Sequence, residues 1–243
     1  VADTYGNLRS VPETAAILGW EESVDAAHLE ERRRFFTVWL ARTLGMDTSD
    51  EMAEYLFRAG QWHAGLGPRR IHTPPEYVTG SMGLVQASFA RFMLEADLPA
   101  GVIAGAPAAW NKLLSAHLNQ MLLGYRIGLE VQAGPLVVRC RVFGRLRPLV
   151  GGAEAEVHAA AGAPVAEVLR KFFNAYPQTR AEALERVWRS EEVANSLWLK
   201  TRPAYVPRYG WRVLHNGSDL QYAGGFYDPV QSGDDVAIFP PGR

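Results

Sequence analysis

Cysteine is almost absent from this 243-residue chain, where Cys140 stands alone. A single thiol excludes an intramolecular disulfide, a CxxC redox pair, a multi-cysteine zinc site and a prosthetic group attached covalently through CxxCH. It makes the cytoplasm, where thiols stay reduced, the natural compartment. Long apolar runs are missing too. The longest uncharged apolar stretch, Leu98 to Trp110, is interrupted by Pro99 and Pro107. It is about half of the roughly 20 residues that a membrane span needs. The opening VADTYGNLRS has no basic region leading into an apolar one, so no signal peptide is expected. Neither sign of charge dominates: 25 Lys+Arg face 26 Asp+Glu, a net charge of −1. That balance argues against general binding to nucleic acid or an anionic membrane. There is no GxGxxG, P-loop, HExxH or GxSxG. The adjacent pairs Glu21-Glu22 and Asp234-Asp235 read as helix-start or turn residues. No catalytic residue is assigned, and an enzyme is not expected.

What is present is ordinary globular material, 48% hydrophobic and 21% charged, too apolar for a disordered chain. The length allows one large domain or two of the usual size. A change of hydrophobic period near residue 130 favours two. Before it the pattern is helical throughout. One helix is expected over 24–44, carrying Val24, Phe35, Phe36, Val38, Trp39, Leu40 and Leu44. A second opens at a Thr48/Glu51 capping box and puts Met52, Tyr55, Leu56 and Ala59 on one face. A third is expected over 76–95, with Leu84, Val85, Phe89, Phe92 and Met93. The last carries Trp110, Leu113, Leu114, His117, Met121 and Tyr125 at three- and four-residue steps.

After residue 130 the period becomes two. Leu136, Val138, Cys140 and Val142 alternate with Val137, Arg139, Arg141 and Phe143, as in a half-buried strand, and Glu154 to Ala159 is its expected partner. Val165, Val168, Leu169, Phe172 and Phe173 form one helical face. A polar helical stretch is expected over 178–198, then a loop with Pro203 and Pro207. Asn216-Gly217 is a strong hairpin signal, and Asp235 to Phe239 is a final strand. The fold class expected is therefore multidomain, an all-α domain over 1–130 and a small α+β domain over 135–243. Residues 1–130 carry −4 and the remainder +3.

Among the titratable residues His63 is the most informative. It follows Tyr55, Leu56 and Ala59 on the apolar face of its helix, just before Gly65, Gly67 and Pro68. A neutral imidazole there can ligate a metal in an apolar pocket, with helix-end carbonyls holding its other nitrogen. On spacing alone a hydrogen-bonded core histidine is the commoner outcome.

The run Arg58-Ala-Gly-Gln-Trp-His63-Ala-Gly-Leu-Gly-Pro, followed by Pro74-Pro-Glu-Tyr-Val-Thr-Gly80, resembles the globin sensors and protoglobins. The resemblance covers about residues 1 to 127. In that family an H-x-x-I/L-G stretch holds the proximal haem histidine and a P-x-x-Y-V/I-x-G helix start follows, with five extra residues here from Pro68 to His72. The resemblance implies a globin-like fold and b-type haem, with its iron on His63. It places Tyr5 at a distal tyrosine position, where the hydroxyl meets a bound diatomic gas. It makes Phe35, Phe36, Trp39, Leu40 and Thr43 the distal helix wall, with Tyr77 on the helix after His63. His117 is first a core residue and second a haem-wall contact. His72 is expected at the surface, with a competing-ligand role as the alternative, and His28 is expected to be exposed. Arg32-Arg33-Arg34 and Arg69-Arg70 are the nearest basic clusters for the haem propionates, and equally read as solvated faces. Sensors of this kind commonly dimerise through their last helices.

The second half resembles the ubiquitin-like β-grasp sulfur carriers of the MoaD/ThiS type, namely the small subunit of molybdopterin synthase and the thiamine-pathway carrier. The matching residues are VRCRVFGRLRPLVGG, PVAEVLRKFFNAYP, WRVLHNGSDL and GDDVAIFPP. Such carriers end in Gly-Gly, whereas this sequence ends Pro241-Gly242-Arg243. Either a longer native tail was lost, or the domain has stopped carrying sulfur and serves as a binding or structural module; the second is favoured. The expected function is a haem-binding sensor of oxygen, another diatomic gas or redox state. Its β-grasp domain would be the output module, with a sulfur-carrier or molybdopterin-pathway protein as candidate partner. The alternative is a sulfur carrier with a helical scaffold or dimerisation domain lacking haem.

Overall fold

The computed structural model describes residues 1–20, 23, 25–222 and 224–240. Val24, the Glu21-Glu22 pair and the Pro241-Gly242-Arg243 end lie outside the described residues. The chain divides into two compact units, Val1–Leu129 and Glu130–Arg243.

The first unit is helical: α1 (Ala2–Ser10), α2 (Pro12–Ile17), α3 (Ala26–Leu44), α4 (Asp50–His63), α5 (Pro75–Glu95) and most of α6 (Ala100–Val131). Helix α3 is capped by Asp25, whose carboxylate accepts from the His28 backbone N–H. The cap of α4 is Ser49, accepting from Met52 N at 3.2 Å, and not Thr48. Asp47 outcompetes the expected box, because its carboxylate takes the Ser49 N–H and pairs with Arg42 at 2.7 Å. Those contacts hold the Asp47 carboxyl down at about 2, the Ser49 bonds first and Arg42 after them.

Trp39, Met52, Leu56, Met82, Val85 and Leu114 form the main core of this unit. A smaller cluster of Tyr5, Ala15, Trp20 and Leu29 meets it through Phe36. Val38, Leu44, Leu84 and Phe92 are exposed, so only part of each apolar stripe faces inward. Helices α4 and α6 touch backbone to backbone. A Cβ on Gly60 would stand 1.9 Å from Met121 O, and one on Gly124 2.0 Å from Phe57 O.

The second unit is a five-stranded mixed sheet, order β2-β1-β7-β5-β6, with a helix against it. Its strands are β1 (Leu136–Val142), β2 (Glu154–Ala159), β5 (Arg212–His215), β6 (Ser218–Asp219) and β7 (Asp235–Phe239). Strand β1 pairs antiparallel with β2 and parallel with β7. A five-residue helix α7 (Leu146–Val150) makes the β1–β2 connection, and Gly151 ends it in the left-handed region at φ 81°. Helix α8 (Val165–Ala175) buries Val165, Val168, Leu169, Phe172 and Phe173. Asn216 and Gly217, at φ 48° and 83°, make the tight turn between β5 and β6.

The segment expected to be helical over 178–198 is not. After a short α9 (Gln178–Ala183), β3 (Leu184–Glu192) and β4 (Leu199–Pro207) form a separate two-stranded antiparallel ribbon. Pro203 and Pro207 therefore lie in a strand and not in a loop. Arg208 N donates to Ala183 O just beyond Leu184↔Pro207, so that pair and, two pairs on in steps of two, Trp188↔Pro203 sit at the non-bonded positions of the ladder. The imide nitrogens then face the outer edge, where the missing N–H costs nothing. Most of the ribbon is exposed, Trp188 and Trp198 included.

Candidate functional site

Helix α4 delivers His63 at its last turn, and Ala64 caps it. His63 Nδ1 lies 2.6 Å from Ala59 O. A carbonyl accepts, so Nδ1 carries the proton and Nε2 holds a free lone pair. Burial is the largest influence on this imidazole and lowers its pKa. The hydrogen bond to Ala59 opposes that shift, and the Arg32 charge adds to it. Downstream, Thr73 N donates to His63 O at 2.8 Å and fixes the following segment against the helix end.

His63 borders a cavity of ≈ 180 Å³. Phe35, Phe36 and Trp39 of α3 line it, with Tyr55, Leu56 and Ala59 of α4, Tyr77, Met82 and Val85 of α5, and Met121 of α6. Helices α1 and α2 contribute Tyr5 and Thr14. Tyr5 is buried with its ring edge-on to Phe36, centroids 6.1 Å apart, and burial pushes its hydroxyl up to about 12. Tyr55 donates to Phe35 O at 2.9 Å, tying α4 to α3.

Three of the residues singled out in the sequence lie elsewhere. Leu40 packs against the main core. Thr43 is fully buried and donates to Trp39 O at 2.7 Å. His117 is buried behind Trp39, ring centroids 6.3 Å apart, and its Nδ1 has no partner among the described residues. On α3 the cavity row is Arg32, Phe35, Phe36 and Trp39, spaced i, i+3, i+4, i+7, and Leu40 and Thr43 turn away from it.

His28 departs from the expectation of exposure. It is buried, Trp20 stands edge-on to it, and its Nε2 accepts from Arg32 Nε at 3.0 Å. His72 is exposed, within 2.8 Å of the Tyr125 hydroxyl. Tyr55, Thr73 and Met121 were missed as site residues, and Arg32 was named only as one member of a basic cluster. The spacing of Arg32 from Phe35 and Phe36 was the available signal, masked by the neighbouring Arg33 and Arg34.

Among the described residues no group of three His, Cys, Asp or Glu side chains converges to hold a metal ion. His63 alone cannot bind a bare cation, so a metal at its Nε2 has to arrive with ligands of its own. A flat macrocycle held by one neutral imidazole within an aromatic, apolar wall suits this donor set.

The family model for Protoglobin matches residues 1–126. The chain belongs to the protoglobin family. Beyond that protoglobin domain, the model for the ThiS family matches residues 140–242. The solved structures it resembles include small archaeal modifier protein 1 of H. volcanii, at 18% identity and TM-score 0.33, covering 44% of this chain and 100% of that one. The Methanosarcina acetivorans small archaeal modifier protein 1 shows 20% identity and TM-score 0.34, covering 44% and 93%. A putative molybdopterin converting factor subunit 1 of Pyrococcus furiosus shows 19% and 0.30, covering 44% and 100%. No curated protein matches the chain. The protein is thus a globin-like helical domain joined to an α+β ubiquitin-like β-grasp domain. No helix among the described residues is long and apolar enough to cross a membrane.

Proposed function

We propose that residues 1–130 form a haem b-binding sensor domain for oxygen, another diatomic gas or redox state, and that residues 135–243 are its output module. The observation that carries the reading is the single free Nε2 of His63, anchored through Nδ1 to Ala59 and opening on an apolar cavity. Haem supplies reversible gas binding and a one-electron couple when bound. The work of the chain is to present a neutral imidazole, to exclude water with Phe35, Phe36, Trp39 and Tyr77, and to offer the Tyr5 hydroxyl as a donor to a small guest. Because the hydroxyl is protonated up to about pH 12, Tyr5 remains a donor at neutral pH. A cavity of ≈ 180 Å³ is narrower than the roughly 300–1,000 Å³ of ordinary ligand sites. A macrocycle seated here would need the cavity to widen.

The covalent route for a signal is α6. It packs on the His63 helix through Gly60 and Gly124, and its last residues belong to the second unit, where Glu130 pairs with Arg170. Exposed Leu84, Phe92 and Leu94 on α5 and Leu123 on α6 support a homodimer formed through the last helices of the sensor domain. The lone, buried Cys140 fits a cytoplasmic location.

The test is reconstitution of the full chain with haemin, followed by its Soret band. Wild type is expected to take up one equivalent, and His63→Ala to abolish or shift the band. No uptake by wild type overturns the reading. The match to the ThiS family supports a second reading, a sulfur carrier with a haem-free helical scaffold. Incubation with a carrier-activating enzyme and ATP would then give a C-terminal adduct by mass spectrometry; an unmodified terminus argues against it.

A further inference from the structure

The cavity that holds the His63 imidazole is apolar except at a few points, and one of these carries a full charge. Arg32 lines it from α3. The guanidinium is fixed at its inner nitrogen, where Nε donates to the buried His28 Nε2 at 3.0 Å. That bond requires a neutral His28, because a protonated imidazole has no lone pair to accept with. Burial, together with the Arg32 and Arg69 charges, lowers the His28 pKa and keeps it in that form. The terminal nitrogens of Arg32 remain, and among the described residues no carboxylate forms an ion pair with them. Asp25 and Glu31 are both taken by Arg69 at 3.0 Å, and Glu30, two residues from Arg32, is exposed and forms no ion pair with it.

The other basic residues of the two clusters do not compete for this role. Arg69 is occupied, Arg34 and Arg70 are exposed, and none of them nor Arg33 borders the cavity. A second polar atom lines the same space: the Thr73 hydroxyl oxygen is buried with no hydrogen-bond partner among the described residues. A cation partly removed from water and left unpaired is costly, and one with its fork preorganised is suited to a carboxylate.

We infer that Arg32, held by His28, is the carboxylate-binding residue of this cavity, so that the site selects an apolar ligand carrying a free acid group. The inference rests on the haem reading, and its ligand group is then a propionate of the macrocycle. Thr73 is the second donor to the same group.

The experiment compares binding of haemin and haemin dimethyl ester to the apo full chain by Soret titration, with thermal melts checking that each variant folds. A charge-assisted hydrogen bond is worth about tenfold or more in affinity. Wild type is expected to prefer the free acid by roughly that factor. Arg32→Met is expected to bind both forms within about twofold of one another, at the affinity wild type shows for the ester. Arg32→Lys is expected to recover part of the preference. Equal binding of acid and ester by wild type, or a preference that survives in Arg32→Met, overturns the inference while leaving haem binding at His63 intact. A loss of fluoride or azide affinity in haem-loaded Arg32→Met with an unchanged acid preference also overturns it, and gives Arg32 to the small guest. Failure of wild type to bind either form overturns this inference and the haem reading together.

Discussion

Replacing Gly124 by alanine tests how the helix bearing His63 is held. The added Cβ would stand 2.0 Å from Phe57 O, against the 3.0 Å below which such contacts are essentially never seen. The obstacle is backbone, so no rotamer change relieves it, and α4 and α6 must part by at least about 1 Å. The same substitution removes a helical glycine, which by itself is worth about 1 kcal/mol in favour of the variant. Overpacking of a well-filled contact costs about 3 kcal/mol at the upper end of its usual range, and that end applies where nothing can rotate. The difference is about 2 kcal/mol of destabilisation, or a fall of about 5–10 °C in the melting transition of the helical unit. Calorimetry of the full chain measures it. Gly80→Ala on α5 is the control, since its Cβ meets nothing within 4 Å, and it is expected to gain up to about 1 kcal/mol. Because parting the helices also moves His63, haem affinity should fall in Gly124→Ala and not in Gly80→Ala. A Gly124→Ala protein that melts at or above wild type refutes the argument.

Three further outcomes are expected in the β-grasp domain. Lys171 is 5% exposed, and its Nζ donates to Ala133 O at 2.8 Å and to His158 O at 2.9 Å. Lys171→Met keeps the length of the side chain and strands both carbonyls, which should lower stability by about 1–3 kcal/mol in a denaturant titration; an unchanged midpoint would count against this role. Cys140 is fully buried, and burial first, with the Asp235 charge second, pushes its thiol from 9.0 up to about 12. The native thiol should resist a thiol-specific reagent at pH 8 and react stoichiometrically in denaturant. Between about pH 9 and 12 the folded state binds the proton that the unfolded state has lost, so stability falls as pH rises. Cys140→Ala should flatten that part of the pH profile, and an identical slope in the variant would refute the assignment.

Helix α4 and strand β1 were legible because burial on one face imposes a period on the sequence. The apolar steps to His63 and the alternation around Cys140 are direct records of that burial. The ribbon of β3 and β4 was not legible for the converse reason. Both of its faces are largely exposed, so no alternation is enforced, and Trp188 and Trp198 read as parts of a helical stretch. Within the candidate site, spacing identified the α3 face only to the width of an apolar stripe. It could not separate Phe36 and Trp39, which border the cavity, from Leu40 and Thr43, which pack behind it.

The sequence by itself determined the two-part organisation, the helix that carries His63, the hairpin at Asn216-Gly217 and the inward side of Cys140. Each follows from local periodicity, turn chemistry or a motif read along the chain. The tertiary structure alone decided which side chains share the cavity with His63, that His28 is buried, and that Arg32 borders the cavity with no carboxylate paired to it among the described residues. Those facts depend on which distant residues compete for each charge. Arg69, 38 residues from Glu31 and 44 from Asp25, takes both acids, and Arg32 donates to His28 instead. No pattern along the chain records such a competition.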